Sequence, residues 1–130
     1  MTSIMINTKC KQYKKDDKAT RRSINELAEK LIRKINSENC SDINEIFNND
    51  SIVYDRLNNE LFIFKGHGVN NTQIRMVYGY KSEGKDSVLY LVDYTSKKSN
   101  NKEYIRDMNT RYKQTKIVDM VFVDVNCVGI

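Results

Sequence analysis

The sequence predicts an α+β fold in which helices pack on one face of an antiparallel sheet. The main observation is a change of apolar period. Apolar residues in the first part of the chain recur as on an amphipathic helix, whereas from about residue 50 their period shifts toward two. With 130 residues, of which 39% are apolar, the chain fits one domain with a single core, spanning residues 1–130.

The N-terminal part is predicted to hold a short strand followed by a helical hairpin. Residues 3–8 alternate weakly, with Ile4 and Ile6 as the inward pair. An amphipathic helix follows, with apolar residues at Ile24, Leu27, Ala28, Leu31, Ile32 and Ile35. Ser41 or Asp42 is expected to cap a shorter second helix, which carries Ile43, Ile46 and Phe47.

The C-terminal part is predicted to be a sheet with one further helix and a final strand. A short strand at 52–54 precedes a turn at Asn58 and Asn59, where Asn is favoured because it tolerates positive φ. Three strands then form an antiparallel meander over residues 61–67, 73–81 and 87–95, with turn signals at Gly66, Gly68, Asn70, Asn71 and Gly84. A helix over residues 100–116 and a strand over residues 117–125 follow.

Charge and composition narrow the possible functions. Twenty-two basic and 17 acidic residues give a net charge of +5, which favours polyanionic partners. No apolar run approaches the roughly 18 residues of a membrane span, and the N-terminus lacks signal-peptide features, so we expect a cytoplasmic protein without membrane association. Cys10, Cys40 and Cys127 are widely separated and His67 is the single histidine. We therefore expect neither a disulfide framework nor a metal site, and no cofactor.

Cations occupy positions on the predicted sheet that strands usually use for packing. Lys65 and His67 share one face of the first meander strand. On the next strand Arg75 lies opposite an aromatic-rich inward face, so it is expected on the open side. Further candidates along the chain are Lys81, Lys97, Lys98, Tyr104 and Arg111. Cations spaced along a hydrophobic sheet indicate a phosphate site and favour RNA.

Each candidate also has a structural explanation when it is taken alone. Arg75 can be the partner in a surface ion pair, and Tyr104 can belong to the core of its helix. The basic segment of residues 9–22 can be the solvated surface of a helix rather than an RNA contact. The joint spacing, and not any single residue, favours a site.

The order strand-Lys, strand-Arg-x-x-Tyr, strand, Lys-Lys, helix resembles the RelE/ParE superfamily of bacterial toxin proteins, including its HigB-like and phage-derived members. The resemblance covers about residues 58–112. Lys65 lies where the family's Lys-hydrophobic-Lys motif ends, although Ile63 replaces the first lysine. Arg75 matches the arginine of the family's Tyr-Arg-hydrophobic-hydrophobic-Tyr pattern. Lys98 resembles its post-strand arginine, and Tyr104 follows six residues later, as a functional tyrosine does in RelE-like members.

In the RelE branch, this resemblance implies an endoribonuclease toxin of a type II toxin–antitoxin system. Such a toxin cleaves ribosome-associated mRNA by metal-free attack of a 2′-hydroxyl on the adjacent phosphate, and a cognate antitoxin protein binds it. Arg75 would hold phosphate oxygens. Lys65, whose neutral form neighbouring cations would favour, or His67 would accept the proton.

The other candidates receive supporting roles in this mechanism. Lys98 would neutralise the leaving oxygen, and Tyr104 would stack on or orient a nucleotide. The expected RNA-binding residues are Lys81, Lys97 and Arg111. Two other functions remain open: a non-catalytic binding or inhibitor protein, possibly encoded by a phage, and a ParE-like gyrase inhibitor on the same fold. The missing first lysine, together with Lys98 in place of the family's later arginine, indicates either altered chemistry or a chain that keeps the fold and has lost cleavage.

Overall fold

The computed structural model describes residues 2–67, 73–83, 86–95 and 101–124, which form an α+β domain. In chain order the elements are β1 (Thr2–Asn7), α1 (Lys11–Lys15), α2 (Lys18–Ser37), α3 (Ile43–Phe47), β2 (Asp55–Arg56), β3 (Leu61–His67), β4 (Gln73–Glu83), β5 (Asp86–Thr95), α4 (Asn101–Tyr112), a 3₁₀ turn (Ile117–Asp119) and β6 (Phe122–Asp124). None of the helices in the described ranges is both long and apolar enough to cross a membrane.

The six strands form one mixed sheet in the order β2-β3-β4-β5-β1-β6. The predicted meander is confirmed, since β3, β4 and β5 are antiparallel neighbours. The prediction of a purely antiparallel sheet is wrong, because β1 runs parallel to β5, with Ile4 opposite Leu89. Parallel neighbours need a long connection, and all the elements from α1 to β4 provide it. The last strand, β6, is antiparallel to β1.

Helices cover both faces of the sheet, whereas one face was predicted. The aromatic face, which packs against α1, α2 and α3, consists of Phe62, Phe64, Ile74, Met76, Tyr78, Tyr80, Leu89, Leu91 and Tyr94. The opposite face, here the α4 face, includes Leu61, Ile63 and Val77, which pack against Tyr104 and Met108 of α4 and against Ile117. The pattern of α4 indicates a buried stripe but does not specify the side of the sheet that it covers.

Side-chain caps begin the two helices that were predicted as a hairpin, α2 and α3. Asp17 accepts a hydrogen bond from the Thr20 amide at 2.8 Å and begins α2, which extends beyond the predicted apolar stripe. Asp42 accepts one from the Glu45 amide at 2.9 Å and begins α3. These bonds satisfy amides that the first helical turn leaves without backbone partners. Ile4 and Ile6 of β1 are buried, as predicted.

Two local predictions of strands are wrong, and the predicted turn at Asn58 forms for a different reason. Residues 52–54 are not a strand, and β2 begins after them. The Asn58 turn forms because the side-chain oxygen accepts hydrogen bonds from the Glu60 and Leu61 amides, and not through positive φ; among the described non-glycine residues, positive φ occurs at Asn39. Residues 117–119 form a 3₁₀ turn instead of the start of a strand.

The glycines of the sheet serve close packing. Gly66 was predicted to mark the end of a strand, but it lies within β3, where a Cβ atom would be 2.9 Å from the Leu27 side chain of α2. At Gly79 a Cβ atom would be closer still to the Ile117 side chain on the α4 face. A larger residue at either position would therefore force the neighbouring side chain to shift. The predicted turn residues Gly68, Asn70, Asn71 and Gly84 lie outside the described residues.

Candidate functional site

Three adjacent strands place Lys65, Arg75 and Thr95 in a row at one end of the α4 face. Lys65 of β3 lies opposite Arg75 of β4, and Arg75 lies opposite Thr95 of β5. Residues directly opposite one another in a sheet project from the same face. His67 lies two residues beyond Lys65 and therefore projects from that face as well. We call this group the cation row.

Arg75 is buried, with 2% of its surface exposed, so its predicted position on an open face is wrong. The reason is that α4 covers this face of the sheet. Arg75 Nη1 donates to the Ile74 carbonyl at 3.3 Å and Nη2 donates to Gln73 Oε1 at 3.2 Å, whereas Nε has no hydrogen-bond partner. No ion pair between described residues includes Arg75. Burial lowers the pKa of Arg75 below its ordinary value, with small opposing effects from Tyr54 and Tyr104.

Tyr54 is the aromatic neighbour of both cations, and it was not predicted from the sequence. The Lys65 Nζ atom lies 5.3 Å and the Arg75 Cζ atom 5.4 Å from the centre of the Tyr54 ring. Both distances are typical of cation–π contacts. Tyr54 is 41% exposed, and its amide donates to the Ile63 carbonyl at 2.8 Å. The signal that could have identified Tyr54 is its position just before β2, the strand that pairs with β3.

Tyr104 joins α4 to the cation row. Its hydroxyl donates to the Arg75 carbonyl at 3.3 Å, and its ring is buried. Burial raises the pKa of Tyr104 far above its ordinary value, so the phenol stays protonated as a hydrogen-bond donor. In this position the ring has little free surface on which a nucleotide could stack.

The structure brings together only some of the predicted site residues. Lys65, His67, Arg75 and Tyr104 are neighbours, with Lys65 and His67 exposed. Lys81 is half-buried opposite Val88, six residues along β4 from Arg75 and hence about 20 Å away. Lys97 and Lys98 lie outside the described residues.

A cleft of about 510 Å³ lies beside the cation row, between the start of α1, the end of β5 and α4. Its lining includes Lys9, Gln12, Asp93, Thr95, Tyr104 and Arg111. Thr95 and Tyr104 thus border both the cleft and Arg75. The cleft has the size of a small-molecule pocket, for which about 300–1,000 Å³ is usual.

A β-bulge directs Asp93 into this cleft. Asp93 lies opposite Val77, but the next pair is Tyr78 with Leu91, so Val92 is the extra residue in β5. A bulge changes which face the following side chains occupy. Asp93 accepts hydrogen bonds from the Tyr112 hydroxyl at 2.6 Å and from Arg111 Nη1 at 3.2 Å. The predicted RNA-binding residue Arg111 is therefore engaged with a carboxylate.

The described side chains that could ligate a metal ion do not lie close together. In the described ranges no group of three or more His, Cys, Asp and Glu side chains is arranged to hold a metal ion. Cys10 is buried and Cys40 half-buried, whereas Cys127 lies outside these ranges. Burial raises the pKa of Cys10 to about 11, which keeps its thiol protonated near neutral pH.

Comparisons of the chain with protein-family models, with curated proteins and with solved structures found no match. The cation row and the cleft are therefore the basis for assigning a function.

Proposed function

We propose that the cation row is a phosphate site and that the protein is a RelE/HigB-like endoribonuclease toxin. In this proposal it acts in the cytoplasm on ribosome-associated mRNA, and a cognate antitoxin protein neutralises it. The observation that carries the proposal is Arg75, a buried guanidinium with an unpartnered Nε and no carboxylate partner among the described residues. A buried charge without a counter-ion costs free energy, which a bound anion offsets.

Arg75 has the chemistry that a phosphate site needs. Its planar fork can donate to two phosphate oxygens at once. Its exclusion from water strengthens its attraction to the negative charge that develops during phosphoryl transfer. Lys65, opposite it on β3, adds a second cation that solvent can reach. Tyr54 stands over both cations, so we propose that its exposed ring moves aside for the phosphate and stacks on a base.

The proposed reaction needs only the chain's own side chains and the RNA. The 2′-oxygen forms a bond to phosphorus as the bond from phosphorus to the 5′-oxygen breaks, giving a 2′,3′-cyclic phosphate and a 5′-hydroxyl. Lys65 in its neutral form, or His67, takes the 2′-proton, since both are exposed on the face of Arg75. Lys98 is proposed to neutralise the leaving 5′-oxygen by donating the proton that makes it a hydroxyl. Tyr104 fixes the backbone of Arg75 through its hydroxyl and thereby positions the guanidinium.

The RelE-like arrangement of the helices is part of this proposal. Its support is that α2 and α3 contribute to one core on the aromatic face, through residues such as Leu31 and Phe47. That core leaves the opposite face to α4 and the cation row. A helical hairpin behind the sheet would then stabilise the strands that carry Lys65 and Arg75 without contacting RNA.

A non-catalytic function on the same fold is the second candidate, and one observation favours it. Ile63, which replaces the first lysine of the family motif, is fully buried among apolar residues. A site with one cation fewer can retain binding after losing catalysis. This alternative includes an inhibitor of a host protein and a ParE-like inhibitor of gyrase.

The test compares wild type with Arg75→Ala, using Arg33→Ala as the matched control because Arg33 is exposed on α2. After induced expression, new 5′ ends in translated mRNA are mapped and growth is followed, with circular dichroism as the check on folding. We expect wild type and Arg33→Ala to cleave mRNA, also in EDTA. Arg75→Ala should be slower by about 10²–10³-fold, as when one transition-state donor is removed.

Two outcomes would decide against the nuclease. One is a folded wild-type protein that produces no new 5′ ends on translating ribosomes. The other is cleavage by Arg75→Ala at the rate of Arg33→Ala. A wild-type protein that cleaves nothing, yet binds a host protein equally well after Arg75→Ala, would establish the binding protein.

A further inference from the structure

We propose that the cleft beside the cation row is a guanine-binding site in which Asp93 reads the base. Its role as a pocket for the base next to the cleaved phosphate rests on the proposed function, whereas guanine binding itself does not. The starting observation is that the chain uses a bulge at Val92 to turn one carboxylate into a cleft whose other charged lining residues are Lys9 and Arg111. Regular alternation would have placed Asp93 on the aromatic face, with Leu91.

The orientation of Asp93 is fixed, but its hydrogen-bonding capacity is not exhausted. The Tyr94 amide donates to Oδ1 at 2.8 Å, and the Tyr112 hydroxyl donates to Oδ2 at 2.6 Å. These two bonds hold the carboxylate in place. A carboxylate has about four acceptor positions. The third donor, Arg111, has a side chain that is 60% exposed and one bond of 3.2 Å, so it can exchange its position readily.

A fixed carboxylate beside mobile cations matches the edge of guanine. Guanine carries two adjacent donors, N1–H and the N2 amino group, which pair with a carboxylate, and two acceptors, O6 and N7, which pair with Arg or Lys. Adenine and cytosine offer a carboxylate one amino group each, and uracil offers one ring N–H. Once Arg111 leaves Oδ2 for O6 or N7, Asp93 can accept from both guanine donors.

The position of the cleft relative to Arg75 fits a nucleotide. Thr95 borders the cleft and lies opposite Arg75, one strand spacing of about 4.8 Å away. The half-buried Tyr112 lines the cleft as well and offers an aromatic surface against which a base plane can pack. Base and phosphate of one nucleotide would therefore reach the cleft and the cation row together.

Binding of free nucleotides provides the test. The dissociation constants of guanosine, adenosine, cytidine and uridine 5′-monophosphates are measured by calorimetry for wild type, Asp93→Asn and Asp107→Asn, where Asp107 is an exposed carboxylate on α4. We expect guanosine monophosphate to bind wild type and Asp107→Asn about 10–100-fold more tightly than the other three nucleotides, the range for one bidentate base contact. Asp93→Asn should lose this preference and bind all four alike.

Arg111→Ala keeps the test decisive if Asp93→Asn does not fold. This variant should bind guanosine monophosphate more weakly than wild type does, and the loss of affinity should be larger than for the other nucleotides. Equal affinity of wild type for all four, no binding of any, or an unchanged preference in Asp93→Asn would each overturn the inference. Selective binding without mRNA cleavage would sink the nuclease and keep the guanine site. Cleavage of mRNA by a wild-type protein that shows no nucleotide preference would keep the nuclease and overturn the guanine site.

Discussion

The two faces of the sheet differ in what they bury. The aromatic face contacts three helices and packs large rings together, with Phe62 and Phe47 edge to face at 6.1 Å. The α4 face has a smaller apolar cluster, buries Arg75 next to it and opens into a cleft at the same end. One face is built for stability, and the other accepts an unfavourable charge where a ligand can bind. Such a division is common, since functional sites often lower stability.

The largest effect is expected on the aromatic face. Phe62 is fully buried in β3, so Phe62→Ala should lower the free energy of unfolding by about 3–5 kcal/mol through lost burial and the cavity that remains. Urea denaturation monitored by circular dichroism measures this. The matched control is Lys65→Ala on the same strand, which is exposed and should lower stability by at most about 1 kcal/mol, the value of its cation–π contact with Tyr54. Similar losses in both variants would contradict the assignment of stability to the aromatic face.

Replacing Arg75 should stabilise the protein, by less than Phe62→Ala destabilises it. Arg75→Met keeps much of the side-chain volume and removes a buried charge, so it should raise the free energy of unfolding by about 1–3 kcal/mol, as replacement of buried ionic groups often does. The same variant should lose activity. Urea denaturation of Arg75→Met and of the exposed control Arg33→Met gives the comparison. A destabilised Arg75→Met would mean that Arg75 serves the fold rather than a ligand.

The smallest effect concerns the helix behind the aromatic face, and it depends on pH. Bonds from Thr20 lower the pKa of Asp17, so its stabilising contribution is present above the unfolded pKa of about 3.9 and is lost as the pH falls through the lowered value. Asp17→Ala should therefore have a lower Tm than wild type at pH 7, and the difference should narrow at pH 2.

Thermal scans at both pH values measure the Asp17 effect, with Asp17→Asn as the control. Asparagine caps helices well and does not titrate, so this variant should stay close to wild type at pH 7. A difference between wild type and Asp17→Ala that stays constant from pH 7 to pH 2 would show that the carboxylate charge is not what stabilises α2.

Regular periodicity made much of the fold predictable. Strand β3 was predicted with its correct bounds, and α2 and the Asp42 cap of α3 followed from spacing and residue type. The parallel pairing of β1 was not predictable in this way, because alternation identifies a strand's inward face but not its neighbour. The side of the sheet covered by α4 was missed for the same reason.

The candidate site was predictable only where the strands are regular. Alternation along β3 and β4 correctly assigned Lys65 and Arg75 to the face opposite the aromatic residues. It could not predict the burial of Arg75, which depends on α4. Asp93 was missed because the bulge at Val92 interrupts the alternation. Tyr54 was missed because it was predicted to lie in a strand at 52–54, whereas it contacts the site from the segment just before β2.

The parallel pairing of β1 with β5 has a consequence for synthesis of the chain. Strand β1 finds its partner only when residues 87–91 have been made. At about 5–20 residues per second, β1 stays unpaired for several seconds. Thr95, which lies opposite Arg75, emerges later still. A nascent chain that ends before Thr95 therefore holds Lys65 and Arg75 without the strand position that completes the cation row.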